Sequence, residues 1–522
     1  MTTSPAIDPS KFDKLTEGSA TILFPKNKVF YNPVQQYNRD LSCLAIRAFT
    51  ELYLEENLAK KRKRNKQPEQ NNVEAETIVE EDKLKAQPYA KIMEALSASG
   101  LRAIRYVKEV PLVDSVVAND LSKDAVASID MNIEYNGVGK KVKSNQADAI
   151  QYMAQHRDEY HVIDLDPYGT AAPFMDSAIQ AIKDGGMMLI TCTDLGVLAG
   201  NGYPEKCFAL YGGSNPGGDA THEAALRLVL NMISTTAAKY KKAIEPLLCL
   251  SIDFYVRLFI RVHTVPIKVK ELASNTMLTY KCSGCYSTAD QPLGKISSNK
   301  RGNKKFALAT GPPVGAQCSF CGYTNHIGGP MYGGSLHNTD FIDRILELES
   351  KADKDIYKTL PRVHGMLTMA KNELDTHFYF KPSSVSSVLK IPAPSIDTTT
   401  AALGNLGYSA SLTHAVPNCI KTDAPWEVIW FIGKKLAEKC QLDISKLRVT
   451  TAGYKILTNE SIGKDIDLQK LKKEAGKEEM DELEWLFQPN EVSNELKKLR
   501  TIKIVRFQEN PTKNWGPKSR PN

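Results

Sequence analysis

Two Cys-x-x-Cys pairs, Cys282-Ser-Gly-Cys285 and Cys318-Ser-Phe-Cys321, stand 32 residues apart. Four thiolates suit a tetrahedral Zn²⁺ and leave no open coordination position, so the expected role is structural rather than catalytic. Gly284 inside the first pair and Gly322 after the second give the small-residue context of a zinc knuckle. Two redox-active dithiols are the alternative, but neither pair falls at a strand-to-helix junction, where such chemistry is usually placed. Lys295, Lys300, Arg301, Lys304 and Lys305 lie between the pairs. They are either a nucleic-acid contact carried on the metal module or ordinary solvated charge.

A different chemistry is offered by Asp166-Pro167-Tyr168-Gly169. The exocyclic amine of a base is a poor nucleophile because its lone pair is delocalised into the ring. Acceptors that hold its hydrogens, here the Asp166 carboxylate and the Pro167 carbonyl, favour the lone pair aimed at an electrophilic carbon. The carboxylate can also take the departing proton. Tyr168 offers a face on which a base can stack, and most of the rate would come from alignment of the reacting atoms. A plain tight turn, with Pro and Gly as turn formers, is the competing reading. Upstream, Phe30 in Phe30-Tyr-Asn-Pro33 could cover the other face of an extruded base, or simply pack the N-terminal segment.

These groups need a frame. Short apolar runs at Ile92–Leu96, Ser115–Ala118, Lys141–Ser144, His161–Leu165 and Gly186–Thr191 alternate with small polar loops and helical segments. That pattern predicts a doubly wound α/β sheet, whose ligand crevice lies off the carboxyl ends of its strands. Ser97-Ala-Ser99-Gly100 follows the first strand, and its small residues, Ser99 and Gly100 included, let a ligand approach the backbone. Asp120 ends the second strand, 20 residues beyond Gly100, where a carboxylate accepts from ribose hydroxyls. Asp148 follows the third and could accept from an adenine amine. Taken singly, each carboxylate is more often a helix N-cap or a loop residue. In this order at strand ends they indicate a nucleoside-bearing cofactor. The glycines of the G-x-G-x-x-G pattern are missing, which favours S-adenosylmethionine over a nicotinamide dinucleotide.

As a set these segments resemble one family, the tRNA guanine N2-dimethyltransferases that act at position 26. The resemblance is carried by Phe30-Tyr-Asn-Pro33 with Asn38-Arg39-Asp40, Ala98-Ser-Gly-Leu-Arg102, Asn119-Asp120, Asp148-Ala149, and Asp164-Leu-Asp-Pro-Tyr-Gly169 through Pro173-Phe-Met-Asp-Ser177. Tyr211-Gly-Gly213 and the cysteine pairs are similar to those of eukaryotic members. The resemblance implies a class I (Rossmann-like) methyltransferase domain followed by a family-specific C-terminal α+β domain that binds tRNA. It further implies that Arg39, Arg102, Asp120, Asp148 and Ala149 contact the cofactor, that Phe30 and Tyr168 are the two stacking faces, and that Asp166 is the catalytic acceptor. Two rivals remain. One is methylation of another amine, adenine N6 or protein glutamine, although such enzymes more often carry Pro-Pro before the aromatic. The other is a zinc-containing RNA-binding protein without catalysis.

The 522 residues amount to several domains at about 150 residues each. Apolar residues make up 42% and charged residues 24%, which excludes wholesale disorder. A net charge of +7 accords with an anionic partner. Ten cysteines are too sparse for a disulfide scaffold, so a reducing compartment is expected. Ala243–Val262 is interrupted by Glu245, Asp253 and Arg257, so no membrane span is expected. Lys60-Lys-Arg-Lys-Arg64, then Asn/Gln/Pro-rich and acidic text, predicts a flexible insertion at about 59–85. Its basic run is a nuclear-import signal, a nucleic-acid patch or solvated charge, the first being favoured; no mitochondrial presequence is visible in Met1–Phe12, and a mitochondrial pool stays open as the alternative. A nuclear location is therefore expected. The expected organisation is a methyltransferase domain over 1–263, a tRNA-binding domain over 264–500 with its metal module at about 278–330, a basic tail over 501–522, and a monomeric chain.

Overall fold

A computed structural model describes residues 12–25, 31–64, 87–200 and 202–501. A hairpin of β1 (Phe12–Glu17) and β2 (Ala20–Pro25) precedes the long helix α1 (Gln36–Arg64). The predicted strands then follow as β3 (Ala90–Glu94), β4 (Val113–Asp120), β5 (Val142–Gln146), β6 (Tyr160–Leu165) and β7 (Ile182–Cys192). Two more, β8 (Ala243–Ile252) and β9 (Tyr255–His263), complete a seven-stranded sheet in the order β5-β4-β3-β6-β7-β9-β8. The first five are parallel, and β9 runs antiparallel to both β7 and β8. Strand order reverses between β3 and β6, the switch point at which such sheets open a crevice. Pairing of Glu94 with Asp164 sets the loop after β3 directly beside the loop after β6.

Helices cover both faces, which is why the central strands are nearly continuous apolar runs. On one face, α4 (Ala149–Gln155), α5 (Met175–Ala181) and α7 (Thr221–Lys239) pack against Met93, Ile163, Met188 and Leu258. On the other lie α1, α2 (Leu101–Glu109) and α3 (Lys123–Tyr135). Ser122 caps the third of these through a bond from Ala125 N–H. This second face also takes the helices Thr339–Ser350 and Leu360–Lys371, whose Phe341, Ile345, Val363 and Leu367 join the core of Leu44, Phe49 and Phe259. The first core thus draws on chain far beyond residue 263, the boundary expected from the change in composition. Burying one side chain of this size contributes about 1.5–3 kcal/mol, so these two helices belong energetically to the sheet.

After β9 comes a three-stranded sheet, β11-β10-β14, formed by β10 (Thr276–Cys282), β11 (Thr288–Pro292) and β14 (Asn325–Tyr332). A separate hairpin, β12 (Gly294–Ser298) with β13 (Lys304–Leu308), extends from it. The remaining chain is a helical cluster around the buried Trp430 with a two-stranded ribbon, Ala410–Leu412 with Ile420–Thr422. The expected C-terminal α+β region is therefore present. The insertion expected from residue 59 begins differently: Ala59 to Arg64 prolong α1, and 65–86 lie outside the described residues, as do 502–522 of the expected tail. Among the described residues no helix is long and apolar enough to cross a membrane.

Candidate active site

Three loops meet at the carboxyl ends of β3, β4 and β5, held by one buried amide. Asn119 Nδ2 donates to Ala95 O at 3.0 Å and to Ala147 O at 3.1 Å. Its own backbone oxygen accepts from Ser97 N–H at 2.8 Å. Asp120 accepts from Ala98 N–H at 3.0 Å and from Ser122 N–H at 2.9 Å, which fixes its carboxylate against the loop of small residues. That loop turns through Gly100 at φ +77°, a conformation suited to glycine, and Ser99 O accepts from Asn132 Nδ2. Asp148 caps α4 through Ile150 N–H at 2.8 Å, leaving its second oxygen without a hydrogen bond among the described residues. Ala149 beside it is buried. Leu121, 71% exposed, and Ile150, 37% exposed, adjoin the two carboxylates. Sequence reading passed over both. The available signal was an apolar residue directly after Asp120 and another two after Asp148, each in an otherwise polar loop.

The loop after β6 lies next to this crevice. Arg102, from the first turn of α2, is 6% exposed and hydrogen-bonds Asp166. Behind it Asp164 accepts from Tyr106 Oη at 2.6 Å and from Arg257 Nη1 at 2.9 Å. Burial alone would raise the Asp166 pKa, but the Arg102 and Arg257 guanidiniums and a Thr191 hydrogen bond outweigh it and hold the carboxyl below the usual carboxylate range. The buried Pro167 separates this anion from Tyr168, which is 53% exposed. Gly169, at φ +81°, is locked to the strand-end loop of β7 by a reciprocal pair: its N–H donates to Thr193 Oγ1 and its oxygen accepts from Thr193 N–H, both at 2.8 Å. Tyr211, at the end of the helix Pro204–Tyr211 (α6), donates to Asp194 at 2.8 Å and lies 2.7 Å from Thr170 Oγ1. Thr193, Asp194 and Tyr211 were not foreseen in this supporting role.

Of the expected site residues, the fold gathers Ser99, Gly100, Arg102, Asp120, Asp148, Ala149, Asp166, Pro167 and Tyr168 at one end of the sheet. Arg39, expected at the cofactor, is paired with a buried carboxylate. Its Nε donates to Glu17 Oε1 at 2.6 Å and its Nη2 to Asn32 O at 3.1 Å, with the guanidinium 5.1 Å from the Tyr31 ring centroid. Glu17, buried in β1, also accepts from Arg105 at 2.7 Å. Burial opposes its ionisation, yet Arg39 and Arg105 prevail and pull its pKa down to about 2. Phe30 lies outside the described residues.

Cys282 and Cys285 occupy the turn from β10 to β11, and Cys318 and Cys321 the turn before β14. All four are buried and none is in a disulfide. Their sulfurs lie within 4.8 Å of one another, with Cys282–Cys321 at 3.3 Å and Cys285–Cys318 at 3.7 Å. Sulfurs about 2.3 Å from a common tetrahedral centre would stand about 3.8 Å apart, so the set is shaped to hold one ion. Gly284 and Cys285 N–H groups point at Cys282 Sγ. A Cβ at Gly284 would stand 2.5 Å from the Tyr323 ring, which explains the glycine.

A family model described as N2,N2-dimethylguanosine tRNA methyltransferase matches residues 11–434. The chain is 50% identical over 548 residues to the mitochondrial tRNA (guanine(26)-N(2))-dimethyltransferase of Saccharomyces cerevisiae, spanning 99% of this chain and 94% of that protein. It is 43% identical to the tRNA (guanine(26)-N(2))-dimethyltransferase of Schizosaccharomyces pombe, spanning 97% of this chain and 92% of that one. A solved structure of Trm1 from Pyrococcus horikoshii with S-adenosyl-L-methionine superposes with a TM-score of 0.62 at 25% identity, over 80% of this chain and 99% of that one. The mitochondrial designation of the Saccharomyces relative overturns the nuclear location expected from Lys60–Arg64, a run that the fold uses to prolong α1. Family model, full-length relatives and superposition agree: the chain belongs to the N2,N2-dimethylguanosine tRNA methyltransferases.

Proposed function

We propose that this chain methylates the N2 amine of guanosine 26 in tRNA, giving N2-methyl- and then N2,N2-dimethylguanosine, with S-adenosylmethionine as donor. The observation that carries the proposal is the pairing of an ionised carboxylate, Asp166, with a half-exposed ring, Tyr168, beside the switch-point crevice. The crevice suits the cofactor: carboxylates fixed at 120 and 148 for ribose hydroxyls and an adenine amine, apolar Leu121 and Ile150 for the faces of the ring, and a small-residue loop for close approach. When bound, the cofactor supplies a methyl made electrophilic by its sulfonium. Asp166 and the Pro167 carbonyl hold the amine hydrogens. Arg102 keeps Asp166 anionic, so it accepts a hydrogen bond without first losing a proton of its own. A weak base suffices there, because a guanine amine is strongly acidic once a new bond to carbon forms at nitrogen. Tyr168 stacks on the base, and Phe30 is assigned the opposite face.

The cysteine quartet is assigned a structural Zn²⁺ on the chemistry of its donors. Lys295, Lys300, Arg301 and Lys305 are exposed on or beside the β12–β13 hairpin, which supports a tRNA contact from the C-terminal region. The test is methyl transfer to an unmodified tRNA transcript and to the same transcript with adenosine at position 26, with product nucleosides resolved by mass spectrometry. Dimethylguanosine from the first alone is expected. Methyladenosine, or product from both transcripts, would refute the assignment.

A further inference from the structure

An enzyme that works on a base inside a stack first takes that base out. Each neighbour left behind then loses the ring that covered one of its faces. A protein can offset that loss with an aromatic side chain of its own beside the site, because a flat ring stacks on any base.

The helix α6 presents such rings next to the catalytic loop. Its inner stripe holds it down: Cys207 is 1% exposed and Tyr211 is fully buried. Through its hydroxyl, Tyr211 ties the helix to Thr170 in the loop after β6 and to Asp194 in the loop after β7. Just beyond the helix, Ser214 and Gly329 exchange backbone hydrogen bonds of 3.1 and 2.7 Å, which join this segment to β14 of the cysteine module. The helix thus lies between the catalytic loop and the module that carries the basic β12–β13 hairpin. Its outer side is open. Tyr203, at the N-cap, is 56% exposed, and Phe208 is 54% exposed. Neither ring belongs to an apolar core among the described residues, whereas Leu210 packs on the sheet. Residues three apart on a helix are neighbours, with Cβ atoms about 5–6 Å from each other, so Phe208 stands beside Tyr211 and hence close to the catalytic loop. Tyr203 is about 12 Å from Tyr211 along the axis. Between the two rings, Glu205 and Lys206 are exposed and opposite in charge. The face is therefore aromatic and nearly neutral, a surface for bases more than for phosphates.

We propose that the outer face of α6 is a stacking platform for the substrate RNA. Phe208 takes a base adjoining guanosine 26 once that nucleotide has been extruded toward Asp166, and Tyr203 takes a base farther along the same strand. This rests on the methylation assignment above. Continuity fixes the occupant: the platform is hydrogen-bonded to the loop that carries Tyr168, so whatever strand delivers a base to Tyr168 passes over or beside it. The division of labour is physical. Contacts from the basic hairpin to phosphates weaken with salt, while ring-on-base contacts at α6 do not depend on charge.

The test uses the full chain, an unmodified tRNA transcript, and the same transcript with 2-aminopurine at position 26, whose fluorescence rises when it leaves the stack. The variants are Phe208→Leu, Phe208→Trp and Tyr203→Leu. Leucine keeps apolar bulk without a flat face, and tryptophan restores the face. Loss of one stacked base predicts a fall of at least about fivefold in transcript kcat/KM for Phe208→Leu, with a smaller fluorescence rise at saturating enzyme. Tyr203→Leu should weaken transcript binding about threefold or more, and Phe208→Trp should stay within about twofold of wild type. The slope of log affinity against log salt should be unchanged in all three, as should cofactor binding by calorimetry and melting temperature. Transcript kcat/KM and binding within about twofold of wild type in both leucine variants overturn the platform. So does a Phe208→Trp variant as weak as Phe208→Leu, and so does a melting temperature that falls in step with affinity, which marks the rings as packing residues. A wild-type chain that binds the transcript but forms no dimethylguanosine overturns the catalytic assignment instead, and that result is read without the variants.

Discussion

Replacing Asp166 by Asn changes one oxygen to an amide at the centre of the proposed chemistry. The carboxylate accepts from Arg102 with one oxygen and can offer the other to the substrate amine. A hydrogen bond to a charged acceptor is worth about 1.5–3 kcal/mol and one to a neutral acceptor about 0.5–1.5 kcal/mol. Losing the charge on a hydrogen bond to the amine that strengthens as methylation proceeds therefore costs roughly 1–2 kcal/mol in the barrier, or about five- to thirtyfold in rate. Loss of the proton acceptor adds a factor that reaches about 10²–10⁴ for positioned acid–base groups. Together the two factors give an expected fall in kcat of about 10³–10⁵, with cofactor affinity held within about threefold, since Asp120 and Asp148 are untouched. Arg102 keeps Asp164 within 3.7 Å, so the fold should survive with some loss of melting temperature. Single-turnover methylation of a saturating transcript, with cofactor binding measured separately by calorimetry, resolves the two effects. Turnover within tenfold of wild type in a folded variant would refute the acceptor role.

Three further outcomes follow from the geometry. Glu17→Gln leaves Arg39 and Arg105 facing a neutral amide, so unfolding free energy in urea should fall by about 3–5 kcal/mol. Because the Glu17 pKa drops to about 2 from an ordinary 4.5, its contribution is complete above about pH 4.5 and is lost as pH falls toward 2, and the variant should show a shallower acid slope over that window. Cys282→Ser should abolish stoichiometric zinc measured by plasma emission and lower the melting temperature, whereas metal content equal to wild type would contradict the four-thiolate assignment. Tyr211→Phe removes the clasp on Asp194 and Thr170. Its expected signature is a roughly tenfold fall in kcat with cofactor affinity intact, and an unchanged kcat would show that Thr193 alone holds the loop.

The five parallel strands were legible because each is a short apolar run closed by small or acidic residues, and the structure moves their ends by only a few residues. The cysteine spacing was legible for the same reason, local chemistry at a fixed interval. What escaped was carried by distance. The β8–β9 pair lies in a largely apolar stretch whose few charges, Glu245, Asp253 and Arg257, mark no alternation, and Asp253, at φ +43°, makes the turn without a Gly or Asn. Arg105 and Arg257 look like surface charges in the sequence. Both are fully buried, against Glu17 and Asp40 in the first case and Asp164 in the second. Arg39 was placed at the cofactor by resemblance, and only the β1–β2 hairpin shows that it has a buried carboxylate of its own. Tyr211, distant in sequence from Thr170, gave no local sign of its partner.

The two helices ending at Lys371 close the face of the sheet that α1 opens at Gln36. During synthesis, then, the catalytic strands emerge long before their last covering layer exists. An early-made sheet waits with Phe49 and Phe259 uncovered until most of the chain has left the ribosome, the situation in which nascent chains stick to one another. Truncation after the catalytic motifs would freeze that state permanently. The methyltransferase half is in this sense not a module that evolution or an engineer can lift out at residue 263. It is the first part of a single fold that the chain finishes late.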